Sequence, residues 1–243
     1  ESGSFSTTRA TFSGNLSNDK NQAKLSIDYF DSKGSNISRI GSEEDGLKNL
    51  TVSLSGRYSP KDKLDVTYTL RHTDKTTEFD GVDFFDTGLP VDADNTTDSV
   101  YLYGGISFSY RINDVFDHSL ALYRAESNNE TKPSQDEQHG TRRQWRYQLN
   151  ATGQSHRLSV RAEKETEDFV QRGSASFFGD PNQNRATRTS SVAVEYRFDQ
   201  DNLHLSLSGR QENNSEFDDS SSWRATANYD FGSTTLFASI GES

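Results

Sequence analysis

Along most of this 243-residue chain, apolar and polar side chains alternate one for one. Leu50, Val52, Leu54, Gly56 and Tyr58 share one parity, and Asn49, Thr51, Ser53, Ser55 and Arg57 share the other. Leu64, Val66, Tyr68 and Leu70 repeat the pattern against Asp65, Thr67, Thr69 and Arg71, and it recurs near 100–110, 145–149, 158–162, 192–198, 203–207, 223–231 and 236–240. Successive side chains on a strand point to opposite faces, so each run has one apolar and one polar face. With weaker runs near 4–16, 22–31 and 118–128, the pattern predicts an all-β chain of about twelve strands.

These runs cover about 9–12 residues, longer than the 5–6 usual in soluble sheets and close to the 9–11 a tilted strand needs to cross a bilayer. Short turns are expected near 18–20, 59–63, 113–115, 153–155, 199–202 and 232–233, with long polar loops near 32–46, 78–98, 129–141, 170–187 and 212–221. Short turns at one end and long loops at the other is the pattern of an antiparallel transmembrane β-barrel. Tyr58, Tyr110, Phe198 and Phe231 stand just before short turns, where an interfacial aromatic girdle belongs. The competing architecture is a soluble sandwich with one wet face per sheet.

Composition explains why alternation matters here. Only 30% of residues are hydrophobic and mean hydropathy is -0.90, too little for a conventional core of this size. Disorder is disfavoured by fifteen Phe and ten Tyr. Lipid-facing residues on twelve strands would need only about a quarter of the chain. The net charge of -11 argues against a nucleic-acid partner. No cysteine is present, which excludes disulfides and thiolate chemistry. Glu1-Ser2-Gly3-Ser4 has no basic or apolar leader character, so the expectation is a chain whose signal was removed or that forms part of something longer.

The polar parity carries Arg57, Arg71, Arg111, Arg146, Arg157, Arg161, Arg197, Arg210 and Arg224. Facing lipid, each would cost about 2–4 kcal/mol at the midplane, so they are assigned to the lumen, paired with carboxylates such as Asp65, Glu195 and Asp230. The stretch from Glu78 to Asp98 has seven carboxylates and no Lys or Arg, and Glu43-Glu44-Asp45-Gly46 lies in the preceding loop at the same end. Hard oxygens at alternating spacing, with a glycine for a sharp turn, suit Ca²⁺. The plainer reading is a solvated acidic surface, bridged to lipopolysaccharide by divalent ions. Phe79, Phe84, Phe85, Phe177 and Phe178 are loop aromatics that would stack on a ligand or pack the loops together. The five histidines have no metal-binding spacing, and His204, on the lumen parity near Ser206 and Ser208, cannot meet a substrate at the lipid face.

The run Leu207 to Phe217 (LSGRQENNSEF), the segment Ser222-Trp223-Arg224-Ala225-Thr226-Ala227 and the segment Leu236-Phe237-Ala238-Ser239-Ile240-Gly241 resemble mid-barrel strands of TonB-dependent outer-membrane receptors, most of all the cobalamin transporters. The resemblance covers most of the chain. It implies a Gram-negative outer-membrane importer rather than an enzyme, with about twelve strands seen of a probable twenty-two. Residues 1–243 would be a partial wall, its plug and TonB-contacting segment lying outside this sequence. Partners by resemblance are the plug, TonB, and cobalamin or a siderophore. Such transporters order their loops with Ca²⁺ through an Asp-x-Asp-Gly motif. Glu43-Glu44-Asp45-Gly46 matches it with Glu for Asp, and Asp74 and Asp80 match the following hairpin, giving an expected set of Glu43, Asp45, Asp74 and Asp80. A further family Asp falls at Asn36. A complete twelve-stranded barrel, a passive porin, a haem receptor and a twelve-stranded outer-membrane phospholipase are the alternatives.

Overall fold

The computed structural model describes residues 1–38, 41–177 and 179–243. Twelve strands form one antiparallel meander: β1 (Thr8–Ser17), β2 (Asn21–Ser35), β3 (Asp45–Lys61), β4 (Leu64–Val82), β5 (Pro90–Arg111), β6 (Phe116–Lys132), β7 (Asp136–Thr152), β8 (His156–Arg172), β9 (Gln183–Gln200), β10 (Leu203–Asn214), β11 (Ser220–Phe231) and β12 (Thr234–Glu242). Each strand pairs with its chain neighbours, and β1 and β12 make no contact, so both edges of the sheet are open. The short turns are built by side chains. Asn18 Oδ1 accepts from the Lys20 and Asn21 N–H groups at 3.0 and 2.8 Å, and Asn113 Oδ1 does the same for Val115 and Phe116 at 2.9 and 2.8 Å.

The register puts the alternating positions into common rows. Leu25, Leu54, Leu70 and Gly104 lie directly opposite one another across β2–β5, as do Val160, Val194 and Gly209 across β8–β10. The apolar parity therefore forms one continuous surface, and Leu54, Leu70, Phe108, Tyr147, Val194 and Leu205 stand exposed on it. Ala121 is the one buried hydrophobic residue among those described. The sheet thus has no packed core, and its apolar face is satisfied only by lipid. The expected aromatics Tyr58, Tyr110, Phe198 and Phe231 share this parity beside the short turns.

Of the nine lumen arginines, Arg57, Arg146, Arg197 and Arg210 meet a carboxylate, while Arg71, Arg111, Arg157, Arg161 and Arg224 form no ion pair among the described residues. Arg57 meets Asp65 at 2.7 Å, Arg142 meets Glu165 at 2.7 Å, and Arg146 and Arg210 converge on Glu163. Arg197 pairs with Glu195, whereas Asp230 serves His204 and Thr235 instead.

At the other end the loops are shorter than expected. Much of 78–98 is strand: β4 runs to Val82 and β5 starts at Pro90, giving β5 22 residues. The expected loop at 129–141 is a three-residue connection between Lys132 and Asp136. Beyond the lipid both faces meet water, so polar residues replace the alternation while the backbone ladder continues.

The face assignment predicts opposite outcomes for neighbouring arginine substitutions. Val194→Arg, on the apolar face, should cost about 2–4 kcal/mol and deplete the folded protein from membranes. Ser208→Arg, directly opposite lumen Glu195, should assemble normally. Equal depletion of both in a heat-modifiability gel would overturn the assignment.

Candidate functional site

An acidic cap sits above β2–β5, where two irregularities interrupt the ladder. Pairing between β2 and β3 shifts between Ser32 and Ser35, and pairing between β4 and β5 shifts between Phe79 and Gly81. The second shift leaves Asp80 and residues 92–94 outside the regular register. A bulge re-aims side chains that strict alternation would send to opposite faces. Here it turns Asp80, Asp92 and Asp94 toward Glu43 and Asp45, which close the hairpin before β3.

Two glycines permit the close approach. Gly41 has φ +120°, and a Cβ there would lie 1.6 Å from Asp92 Oδ2. Gly46 was expected to make a sharp turn. It instead lies inside β3, buried, and donates its N–H to Glu78 Oε2 at 2.8 Å. Its missing Cβ makes room for that carboxylate.

The carboxylates are unequally satisfied. Asp92 accepts the Glu43 N–H at 3.1 Å. That bond, with others from Ser38, Ser42 and Asn36, holds its carboxyl below the ordinary range against the opposing effect of burial. Burial pushes the Glu43 carboxyl up, reinforced by a hydrogen bond to Asp94 and by the charges of Asp94, Asp92 and Asp45. Burial also raises Asp45, with Asp80, Asp92 and Glu78 adding repulsion. Both carboxylate oxygens of Asp45, both of Asp80, Oδ1 of Asp92 and Oδ1 of Asn36 are buried without a hydrogen-bond partner. Orphaned acceptors in such number are rare, because each carries an uncompensated desolvation cost. No three His, Asp or Glu side chains among the described residues are drawn closely enough together to hold an ion as the chain stands. These oxygens are unpartnered, and the charges around Glu43 and Asp45 repel one another.

Of the four residues expected to act together, the fold brings Glu43, Asp45 and Asp80 together and separates Asp74. Asp74 pairs directly with Leu50 and Val100 and so occupies the apolar parity, below the cap. Asp92 and Asp94 lie beside Glu43 instead. Their i, i+2 spacing was the available signal, but only the bulge opposite them decides where they point. Phe84 and Phe85, 82% and 103% exposed, project from the β4–β5 turn, while Phe177 extends from the β8–β9 connection four strands away. Phe79 lies on β4 opposite Asn95, and Phe178 falls outside the described residues. His204 offers no hydrolytic pair. Its two nitrogens face Asp199 at 2.8 Å and Asp230 at 3.4 Å, while Ser206 bonds Thr226 at 2.6 Å.

The cap carries a pH signature with two signs. Raised carboxyls bind protons more readily folded than unfolded, so their contribution to stability is full below the ordinary carboxylate value and is lost as pH rises through the raised one. The depressed Asp92 acts oppositely: its contribution holds above the ordinary value and is lost as pH falls through the depressed one. With divalent ions chelated, protection of amides 41–46 from hydrogen exchange, corrected for intrinsic rate, should fall as pH rises above the ordinary carboxylate range. Asp45→Asn should flatten that fall; an unchanged slope would contradict the crowding.

No protein-family model and no curated protein matches the sequence. Solved structures match its fold along nearly the whole chain. The alcaligin outer-membrane receptor FauA of Bordetella pertussis aligns with TM-score 0.74 at 14% identity over 98% of this chain and 41% of that one. The siderophore receptor PirA of Pseudomonas aeruginosa gives 0.68 at 15% over 97% and 39%, and the RagAB peptide transporter 0.71 at 10% over 97% and 36%. The chain spans about two-fifths of the length of these structures. Its fold is that of the barrel wall of TonB-dependent outer-membrane receptors.

Proposed function

We propose that this chain is part of the wall of a TonB-dependent active importer in a Gram-negative outer membrane, taking up a scarce, bulky nutrient with loops ordered by Ca²⁺. The observation that carries the reading is the bare sheet itself. A twelve-stranded meander with a lipid-compatible outer face, a charged inner face and two open edges needs further strands to close it and something inside to fill it. A plug outside this sequence would supply the filling and the contact with TonB. The wall performs no covalent chemistry.

The cap residues suit a hard cation. Asp45, Asp80 and Asp92 offer buried orphan oxygens, Asn36 offers a neutral one, and Glu43 stands beside them. Ca²⁺ takes six to eight oxygen ligands in adaptable geometry, and its charge would offset the crowding of these carboxylates. Ordering residues 36–46 against the β4–β5 hairpin would fix the loops from which Phe79, Phe84 and Phe85 meet a substrate.

Cobalamin is the first substrate, on the sequence resemblance and on charge. A carboxylate-rich mouth is unfavourable for an anionic iron complex and indifferent to a neutral corrinoid. A siderophore is the second reading, favoured by the siderophore receptors among the matching folds.

Titration of the full receptor with Ca²⁺ should give saturable heat at or below millimolar concentration. Asp45→Asn and Asp80→Asn should each weaken uptake at least about tenfold, the scale of losing one charged ligand, and Asp74→Asn should leave it unchanged. No heat at millimolar Ca²⁺ would end the calcium assignment. Cyanocobalamin should bind the full receptor saturably at nanomolar concentration, against the weak, unsaturated binding of a channel. Tight ferric-siderophore binding with no cyanocobalamin binding would reverse the order of substrates.

A further inference from the structure

Inner-face arginines such as Arg57, Arg146, Arg197 and Arg210 meet carboxylates across the sheet, and a second group of cations lies on the outer face. Arg124 on β6 pairs directly with Arg143 on β7; Arg143 pairs with Thr166 on β8, and Thr166 with Arg188 on β9. Lys164 sits one position lower on that face, opposite Trp145. All four cations are exposed. Arg124 is held by Glu126, and Asp168 stands one position above Thr166 on the same face. The side-chain cations of Arg143, Lys164 and Arg188 meet no carboxylate among the described residues.

Their height is informative. They lie about eight to twelve residues beyond the short turns of their strands, where a tilted strand has just crossed the hydrocarbon. Below them the face is Leu122, Trp145, Tyr147, Val192 and Val194. An outward arginine costs about 2–4 kcal/mol at the midplane but about 0–1 near the interface, and tryptophan favours that same level. Like charges directly opposite on neighbouring strands repel unless an anion lies between them. A shallow groove of about 260 Å³, bordered by Trp145, Ala162, Lys164, Ser190 and Val192, descends from this row into the apolar band.

We propose that Arg124, Arg143, Lys164 and Arg188 form a binding site for the phosphate groups of an outer-leaflet glycolipid, with an acyl chain along the groove beside Trp145. Guanidinium groups grip phosphate oxygens in bidentate fashion, and a lysine adds a point charge. Three strand spacings separate Arg124 from Arg188, about 14 Å, which admits a headgroup bearing more than one phosphate. The free phosphate ion shares the chemistry but has no use for the groove. The site rests on the outer-membrane reading above.

The test uses the full receptor in mild detergent. Native mass spectrometry with added lipid A should show a retained lipid. The triple variant Arg143→Gln, Lys164→Gln, Arg188→Gln should retain at least about tenfold less, as expected for lost charge-assisted hydrogen bonds. Lys48→Gln, a cation on the same face of β3, should retain it fully. Should the triple variant fail to assemble, the wild type decides: dephosphorylated lipid A should bind at least about tenfold more weakly, and millimolar inorganic phosphate should not displace the lipid. Equal retention of both lipids, or by the triple variant, would overturn the site. Displacement by inorganic phosphate would overturn the lipid commitment. A wild-type protein absent from the membrane fraction would instead sink the importer reading.

Discussion

A backbone crossing hydrocarbon finds no water for its amides, and every other feature of this chain answers to that. Twelve strands bond neighbour to neighbour, which satisfies all but the two outermost rows of N–H and C=O groups. Once the ladder takes the backbone, each side chain is committed to lipid or lumen by parity alone. Thirty per cent apolar residues suffice for this because only one face needs them. A soluble protein of that composition would lack a core; here Ala121 alone is buried among the described apolar residues, and lipid takes the core's place.

The same commitment decides what a carboxylate can do. Within the regular ladder, an acid on the lumen parity finds a cross-strand donor, an arginine for Asp65 and Glu163 and His204 with Thr235 for Asp230. Above the lipid the constraint relaxes, and the two irregularities at 32–35 and 79–81 can turn acids toward one another. Gly41 and Gly46 provide the space. The result is a patch held together by hydrogen bonds to Asp92 while Glu43 and Asp45 resist full ionisation. Crowded carboxylates of this kind repel one another, and the proposed Ca²⁺ would relieve that repulsion and order the loops.

Strand count, short turns and the outward aromatics were legible because lipid imposes a period of two. The upper ends of β4–β7 were not, since polar residues there satisfy either face and the ladder gives no side-chain signal; the loop expected at 129–141 is mostly strand for this reason. Asp74 is instructive in the other direction. It shares parity with Leu70 and His72, so alternation places it on the outer face, away from the acids with which the motif groups it. Asp92 and Asp94 could not be assigned from sequence because a bulge on the opposite strand sets their direction.

Net charge conceals how the charges are divided. The -11 of the whole chain is the sum of three surfaces with different needs. Inside the wall, Arg57, Arg146, Arg197 and Arg210 meet acids while Arg71, Arg111, Arg157, Arg161 and Arg224 form no ion pair among the described residues, so that surface is neutralised only in part. The cap has acids without enough cations, and the outer rim of β6–β9 has cations without enough acids. The two imbalances do not cancel, because they lie on different faces of one sheet, separated by water and headgroups that screen them within about 10 Å. On the two proposals above each is met locally, the cap by a divalent cation from the medium and the rim by phosphate from the leaflet in which it sits. Under those proposals the cap and the rim would keep their working arrangement only where membrane and medium supply both ions.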